Sequence, residues 1–330
     1  MVTRKQVAQL AGVSEGTVSN VVNGKSIVAK DKMERVLAAI EELHYVPDQT
    51  ARSLVMRRSN HIGIAIYELT NPYHMEIAKC IEECASRSGF IVSVFMLDNN
   101  MKDKFKAMVE RRLDGLVNFM TNRYPEEYID MLAQRGTVLI NFDSESGSVF
   151  SNDYRDATAQ ILQRLYDWGH RRIAYISTMD EIGFRADSRG KQWFESVQKL
   201  GFERAEVFYN HSFDAASDQT GRLLTQRMLE TFRDATAVLC TNDLTAMGCM
   251  RTLADEGIRV PTDISVVGCD DIEIAKTLIP SLTTMSIDKY RQGEDIVAQI
   301  INQLDGGEKQ HHVYHAVPVY RESIAPIRNR

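Results

Sequence analysis

Ser14, Glu15, Gly16, Thr17 and Asn20 place five small or polar residues within seven positions. Groups of this kind read base edges: Asn pairs bidentately with adenine, Glu accepts from cytosine, and Ser and Thr donate to bases or phosphates. Arg4, Lys5, Lys25, Lys30 and Lys32 flank them, suited to phosphate contacts that add affinity without sequence information. A second set lies far downstream. Asp143, Asn242 and Asp270 each follow a short apolar run, and Arg189 opens a helical stretch after the loop Ser177–Asp187. Two carboxylates, an amide and a guanidinium suit the hydroxyls of a sugar-like ligand.

The first set needs short helices to present it. Thr3 and Gln6 have the spacing of a capping box, so a helix follows with Val7, Ala8 and Ala11 inward. Gly12 supplies the backbone freedom for a tight turn. Ser14 then caps a second helix, Glu15 to about Asn23, packing Val18, Val21 and Val22, and Gly24 ends it. A third helix from about Lys30 to Leu43 buries Val36, Leu37, Ile40 and Leu43. This is a helix-turn-helix, whose second helix enters the major groove. A small helical bundle that docks a protein is the alternative.

The second set needs strands. From His61 onward, apolar runs alternate with helical stretches: Ile62–Tyr67, Phe90–Phe95, Gly115–Phe119, Val138–Phe142, Ile173–Ile176, Val207–Tyr209, Ala237–Cys240 and Ser265–Val267. That is parallel α/β architecture. The pattern runs once to about residue 155 and again to about 285, so two similar lobes are expected, with a cleft at the carboxyl ends of their strands.

Composition is that of an ordinary soluble globular protein of two or more domains. The 330 residues exceed one ordinary core, with 44% hydrophobic and 25% charged residues. No apolar run reaches membrane-spanning length, the first residues carry no signal-peptide core, and five cysteines do not form a disulfide framework. A cytoplasmic location follows as an expectation. The net charge of −6 is uneven: residues 1–60 carry nine basic and six acidic groups, the remainder 30 and 39. A basic head on an acidic body suggests that the head meets the polyanion.

The head resembles the LacI/GalR family of bacterial transcription regulators over about 55 positions. The resemblance rests on Val7 through Ser14, Thr17-Val18-Ser19, Val22-Asn23-Gly24, Arg35 through Leu43, Tyr45-Val46-Pro47 and Ala51-Arg52-Ser53-Leu54. It continues through Asn71-Pro72-Tyr73, Arg112 through Gly115, Gly169 through Ala174, Thr241-Asn242-Asp243, Ala246-Met247-Gly248 and Val260-Pro261. Ile264 through Gly268, Asp270-Asp271, Leu282-Thr283-Thr284 and Arg321-Glu322-Ser323 complete it. Two departures stand out. Many members carry Arg where this chain has Asn20, and Ala29 replaces a frequent Ser cap.

The resemblance implies a helix-turn-helix domain over 1–46, a hinge over 47–60 and a periplasmic-binding-protein-like effector domain over 61–330. Its lobes would hold about 61–155 with 288–318, and about 156–287 with 319–330. Asp48 to about Val55 would be a hinge helix, too short to stand alone, with Ala51, Arg52 and Leu54 on DNA. Leu54 would wedge between base steps, with Arg57 and Arg58 near phosphates. An ordinary linker is the alternative. Effector contacts carry over to Asp143, Arg189, Phe213, Asn242 and Asp270, and more loosely to Asn71 and Tyr73, with Tyr73 and Phe213 as an aromatic wall. Caps at Asp270 and Asn242, plain packing at Tyr73 and Phe213, and a structural ion pair at Arg189 remain the alternatives. Lys289 is either an anion contact or solvent-facing.

The expected protein is a sequence-specific repressor of carbohydrate-related genes. It would act as a homodimer on a pseudo-palindromic operator, with a sugar or sugar-phosphate effector between the lobes and DNA affinity coupled to that effector. A partner protein is the alternative co-regulator. No membrane partner, cofactor, metal or enzymatic activity is expected. The phosphate-loop and nucleophile-elbow motifs do not occur; Cys80 and Cys84 read as packing, and His311, His312 and His315 as surface.

Overall fold

The computed structural model describes residues 2–22, 28–46, 58–66, 69–97, 101–119, 126–142, 147–211 and 217–327. The chain divides into two compact units, Met1–Ser59 and Asn60–Arg330. The expectations at Lys25, Ala51, Arg52, Leu54, Asp143 and Phe213 lie outside the described residues.

The first unit forms around α1 (Arg4–Ala11), α2 (Glu15–Val22) and α3 (Lys30–Glu42). Thr3 Oγ1 accepts the Gln6 amide at 3.4 Å, and the Gln6 side chain accepts the Thr3 amide at 2.8 Å, closing the capping box. Gly12 sits at φ 63°, the left-handed conformation that ends α1 and starts the turn. Ser14 Oγ accepts the Thr17 amide at 3.1 Å and so caps α2. Ala29 gives α3 no side-chain cap. Val7, Val18 and Val36 are fully enclosed, with Ala8, Ala11, Ala39 and Tyr45 around them. Leu37, expected inward, is 52% exposed. The core of so small a unit covers only a narrow stripe of α3, which Val36, Ala39, Ile40 and Leu43 fill.

The second unit contains two parallel sheets. In the first lie β1 (His61–Ile66), β2 (Ile91–Met96), β3 (Gly115–Asn118), β4 (Val138–Asn141), β5 (Ser148–Asp153) and β11 (His311–His315). Their order is β11-β5-β4-β3-β1-β2. The second holds β6 (Arg172–Ser177), β7 (Arg204–Tyr209), β8 (Ala237–Cys240) and β9 (Ser265–Val267) in the order β7-β6-β8-β9. An antiparallel pair, β10 (Thr284–Ser286) with β12 (Val317–Val319), completes the ladder.

Helices cover both faces of each sheet, making two three-layer lobes. On the first sheet, α4 (Pro72–Arg87) and α12 (Lys289–Leu304) share one core, with Ile77, Ile81, Ile296 and Ile300 buried. Opposite them, α5 (Met101–Glu110) and α6 (Glu126–Gln134) bring Phe105 and Tyr128 into a second core. On the second sheet, α10 (Ser217–Thr231) and α11 (Asp243–Asp255) cover one face. The other face is covered by α7 (Arg155–Asp167), α8 (Glu181–Ala186) and α9 (Ser188–Leu200). Within the described residues, no helix is long and apolar enough to cross a membrane.

Strand order places the site. In each sheet the order reverses once, between β1 and β3 and between β6 and β8. At such a point, neighbouring connections leave toward opposite faces and open a crevice at the carboxyl ends. Asn71 and Tyr73 follow β1, Arg189 lies on the chain after β6, Asn242 follows β8 and Asp270 follows β9.

Candidate effector site and nucleic-acid surface

In the first unit, Arg4, Lys5, Ser14, Glu15 and Gly16 are exposed, and Thr17 and Asn20 are half-buried. The start of α2 therefore presents a polar edge. Ser14 and Thr17 also touch each other, Oγ to Oγ1 at 2.9 Å, so capping and presentation share the same two hydroxyls.

In the second unit, Arg189 is set by local structure. Asp187 caps α9 by accepting the Arg189 amide at 2.8 Å. Gly190 follows, where a side chain would land 1.7 Å from the Phe184 carbonyl oxygen; only glycine lets α8 and α9 approach so closely. The Arg189 guanidinium then turns back on Asp187, Nε to Oδ1 and Nη2 to Oδ2, both 2.8 Å. Nη1 donates to the Thr241 carbonyl at 2.7 Å and approaches Cys269 Sγ at 3.8 Å. Five N–H groups less these four contacts leave one Nη2 hydrogen. Burial opposes both charges, but the pairing outweighs it, holding Asp187 low and Arg189 high. The guanidinium also lies over the Tyr154 ring, 4.9 Å from its centroid.

Asp270 is 8% exposed, and its backbone φ is 108°; Asp271 follows at 48°. Two consecutive non-glycine residues in this region are costly and mark a turn held by its surroundings. Asp270 takes a hydrogen bond from the Cys269 thiol, and burial pushes its carboxyl up to about 7 against the pull of Arg189 and Lys289. It caps no helix. Next to it, burial and the Asp270 charge raise Asp243 to about 8. Asp243 accepts from the Ile272 amide at 2.9 Å and the Thr284 hydroxyl at 2.6 Å.

The other expected contacts fare differently. Asn242 caps α11, accepting the Thr245 amide and hydroxyl at 2.9 and 2.7 Å, and donates to Ser217 Oγ at 3.3 Å. Both ends of its amide are engaged, as the capping alternative has it. Asn71 caps α4 through the Tyr73 amide at 3.1 Å. Tyr73 packs among second-lobe residues such as Ile272 and Ala275. Its hydroxyl accepts from Asn152 at 2.8 Å, and Asn152 accepts from Gln292 at 2.9 Å. Burial, first, and Asp270 raise the Tyr73 phenol well above its ordinary range.

An aromatic stack flanks the first-lobe strand ends: His74 to Phe119 at 5.4 Å and Phe119 to Phe142 at 4.5 Å between centroids. Burial depresses His74 to about 4, so its ring is neutral near pH 7. Lys289 neither faces solvent nor stands free for an anion. Its Nζ lies 2.7 Å from Glu76 Oε2 and 2.8 Å from the Asp271 carbonyl.

Sequence reasoning finds Arg189 and Asp270 but misses Asp187, Asp243, Asn152 and Gln292. An Asp two positions before the helical Arg is a readable cap signal for Asp187. The Asn152–Gln292 contact spans 140 positions and leaves no local trace. Among the described residues no group of three or more His, Cys, Asp or Glu is placed to hold a metal.

Residues 3–48 match the model of bacterial regulatory proteins, lacI family, and 162–324 that of a periplasmic binding protein-like domain. The HTH-type transcriptional repressor PurR of Haemophilus influenzae (strain ATCC 51907 / DSM 11121 / KW20 / Rd) is 31% identical over 342 residues, spanning 99% of this chain and 100% of that protein. PurR of Photobacterium profundum is 29% identical over 338 residues, with the same coverage. The lac repressor dimer bound to operator and the anti-inducer ONPF aligns at TM-score 0.82 and 29% identity, covering 98% of this chain and 99% of that one. A regulator from Arthrobacter sp. FB24 in complex with lactose aligns at TM-score 0.69 and 25% identity, over 80% and 99%.

Proposed function

From the premise that the chain belongs to the lacI family of bacterial regulatory proteins, we propose that it is a DNA-binding transcriptional repressor controlled by a small neutral carbohydrate. Ser14, Glu15, Gly16, Thr17 and Asn20 read base edges of a pseudo-palindromic operator, and Arg4 and Lys5 meet phosphates. Lys25 adds a phosphate contact, and Ala51, Arg52 and Leu54 the hinge contacts that family membership suggests. The repressor works in the compartment that holds its DNA.

The Asp270 carboxylate carries the effector half of the reading. It is buried at a strand end, takes one thiol hydrogen bond and sits near Arg189, which has one N–H to spare. That arrangement accepts from a ligand hydroxyl and donates to another, which suits a sugar. The aromatic stack of His74, Phe119 and Phe142 offers an apolar face, and Asp143 and Phe213 complete the proposed contacts. Asn71 and Asn242, already engaged as caps, are peripheral. A neutral effector is favoured over a phosphorylated one because Lys289 is neutralised by Glu76 and Arg189 by Asp187.

A homodimer is part of the reading, since each head reads one half-site. An apolar groove formed by Met247, Met250, Ile258, Val260, Leu278 and Ile279 supports it, with Ile279 98% exposed. Calorimetric titration with neutral mono- and disaccharides, sugar phosphates and nucleobases tests the effector. Binding of a neutral sugar, lost in Asp270→Asn, supports the reading; preference for a phosphate ester or a base defeats it.

A further inference from the structure

Among the described residues, three ion pairs are sheltered at both ends: Arg189–Asp187, Lys289–Glu76 and Arg321–Asp271. Most other pairs lie at the surface. All three converge on the turn at Asp270–Asp271, where both residues have positive φ. Burial raises the Asp270 carboxyl and Arg189 offsets part of that rise, Arg321 binds the Asp271 carboxylate, and Lys289 donates to the Asp271 carbonyl at 2.8 Å. Backbone in this conformation persists only where its neighbours hold it. Asp270 and Asp271 donate their amides to the Met285 carbonyl and Thr284 Oγ1, at 2.9 and 3.3 Å.

Two members of this set, Glu76 and Lys289, come from the first lobe, whereas the turn belongs to the second. Glu76 lies on α4, one turn after Tyr73, and is 22% exposed at its side chain. Its Oε2 takes Lys289 Nζ at 2.7 Å, and its Oε1 takes the Glu273 amide, also at 2.7 Å. Glu273 opens the short 3-10 turn Glu273–Thr277 of the second lobe. A single carboxylate thus holds Lys289 of its own lobe, whose ammonium reaches the Asp271 carbonyl, and itself takes the second-lobe backbone amide just beyond the strained turn. Lys289 also lies 5.7 Å from the centre of the Tyr73 ring, so the two expected features of this flank, Tyr73 and Asp270, are tied through one ammonium.

We infer that Glu76 is a positioning residue: acting through Lys289 and the Glu273 amide, it latches the lobes together and fixes the Asp270–Asp271 turn. The aim of the Asp270 carboxylate rests on the effector reading above. The latch does not, and its test contains no effector.

The test is amide hydrogen exchange on the purified full chain, comparing wild type with Glu76→Ala, Lys289→Met and both together. Removing either partner leaves a buried charge without its counterion and frees the Glu273 amide or the Asp271 carbonyl. Exchange of the 270–275 segment is expected to rise roughly tenfold in each single variant, together with the first turns of α4, while β6 and β8 stay protected. The double variant should exchange no faster than the worse single one, and Lys289→Arg should restore slow exchange. Should Glu76→Ala not fold, Glu76→Gln, which keeps an acceptor and loses the charge, should show the same local rise at smaller size. Unchanged exchange at 270–275, a rise confined to one lobe, or a rise spread evenly over the chain would overturn the latch.

Discussion

Arg189 and Asp187 hold each other through two parallel hydrogen bonds of 2.8 Å, although only one residue separates them in the chain. The pair is formed by the cap of α9 itself, so the guanidinium is aimed before any ligand arrives. Asp187→Asn keeps the cap and removes the counter-charge. It is expected to cost about 2–4 kcal/mol, because a largely buried cation is left with a neutral partner. Denaturant unfolding measures this; a midpoint equal to wild type would show that the pair contributes nothing.

Stability should depend on pH in a definite direction. Asp270 and Asp243 stand at about 7 and 8, above the unfolded carboxylate range, so the native state keeps protons that the unfolded chain releases. Their contribution is full below about pH 4 and is lost as the pH rises through 7 and 8. His74, held at about 4 by burial, acts oppositely, losing stability as the pH falls from 6.5 toward 4. Thermal melts of Asp270→Asn between pH 5 and 9 should fall less steeply than those of wild type. Parallel slopes would mean that Asp270 does not titrate there.

The small first unit should be sensitive to its capping box. Thr3→Ala removes the acceptor for the Gln6 amide and is expected to destabilise that unit by about 1 kcal/mol. Since Thr3 is not among the base-reading positions, DNA preference should be retained while affinity falls with the folded fraction. Altered preference among duplexes would place Thr3 at the interface.

Ile279 tests the proposed dimer. It is almost wholly exposed in an apolar groove, and a charge there is unfavourable only if a second copy covers it. Ile279→Asp should shift the sedimentation coefficient toward the monomer without lowering the melting temperature of the monomeric unit. An unshifted dimer would move the interface elsewhere.

Local chemistry explains what is legible in the sequence. The Thr3–Gln6 box, Gly12 and the Ser14 cap act within four positions, so their spacing alone specifies the first unit. Runs such as Ala237–Cys240 are enclosed on both faces and read as continuous apolar stretches. β5 escapes such a reading because Ser148-Val149-Phe150-Ser151-Asn152-Asp153 is polar, and one of its pairing partners, β11, is 162 positions away. β10 and β12 are three residues each and pair across more than 30 positions. At the site, Asp270 is visible as chemistry at a strand end and Arg189 as chemistry at a helix start. Lys289 is not readable as an ion-pair member, because Glu76 is 213 positions distant. Leu37 has the right helical spacing, but the facing helices are too short to cover it.

Duplex affinity, measured with and without a neutral sugar, tests the central claim most directly. A genomic fragment selected by the full chain should bind roughly a thousandfold more tightly than random duplex at the same salt. A neutral sugar identified by calorimetry should change that affinity by about tenfold or more, and Asp270→Asn should abolish the change while leaving the basal preference. Equal binding of selected and random duplexes, or a selected-fragment affinity indifferent to every bound sugar, would contradict the account.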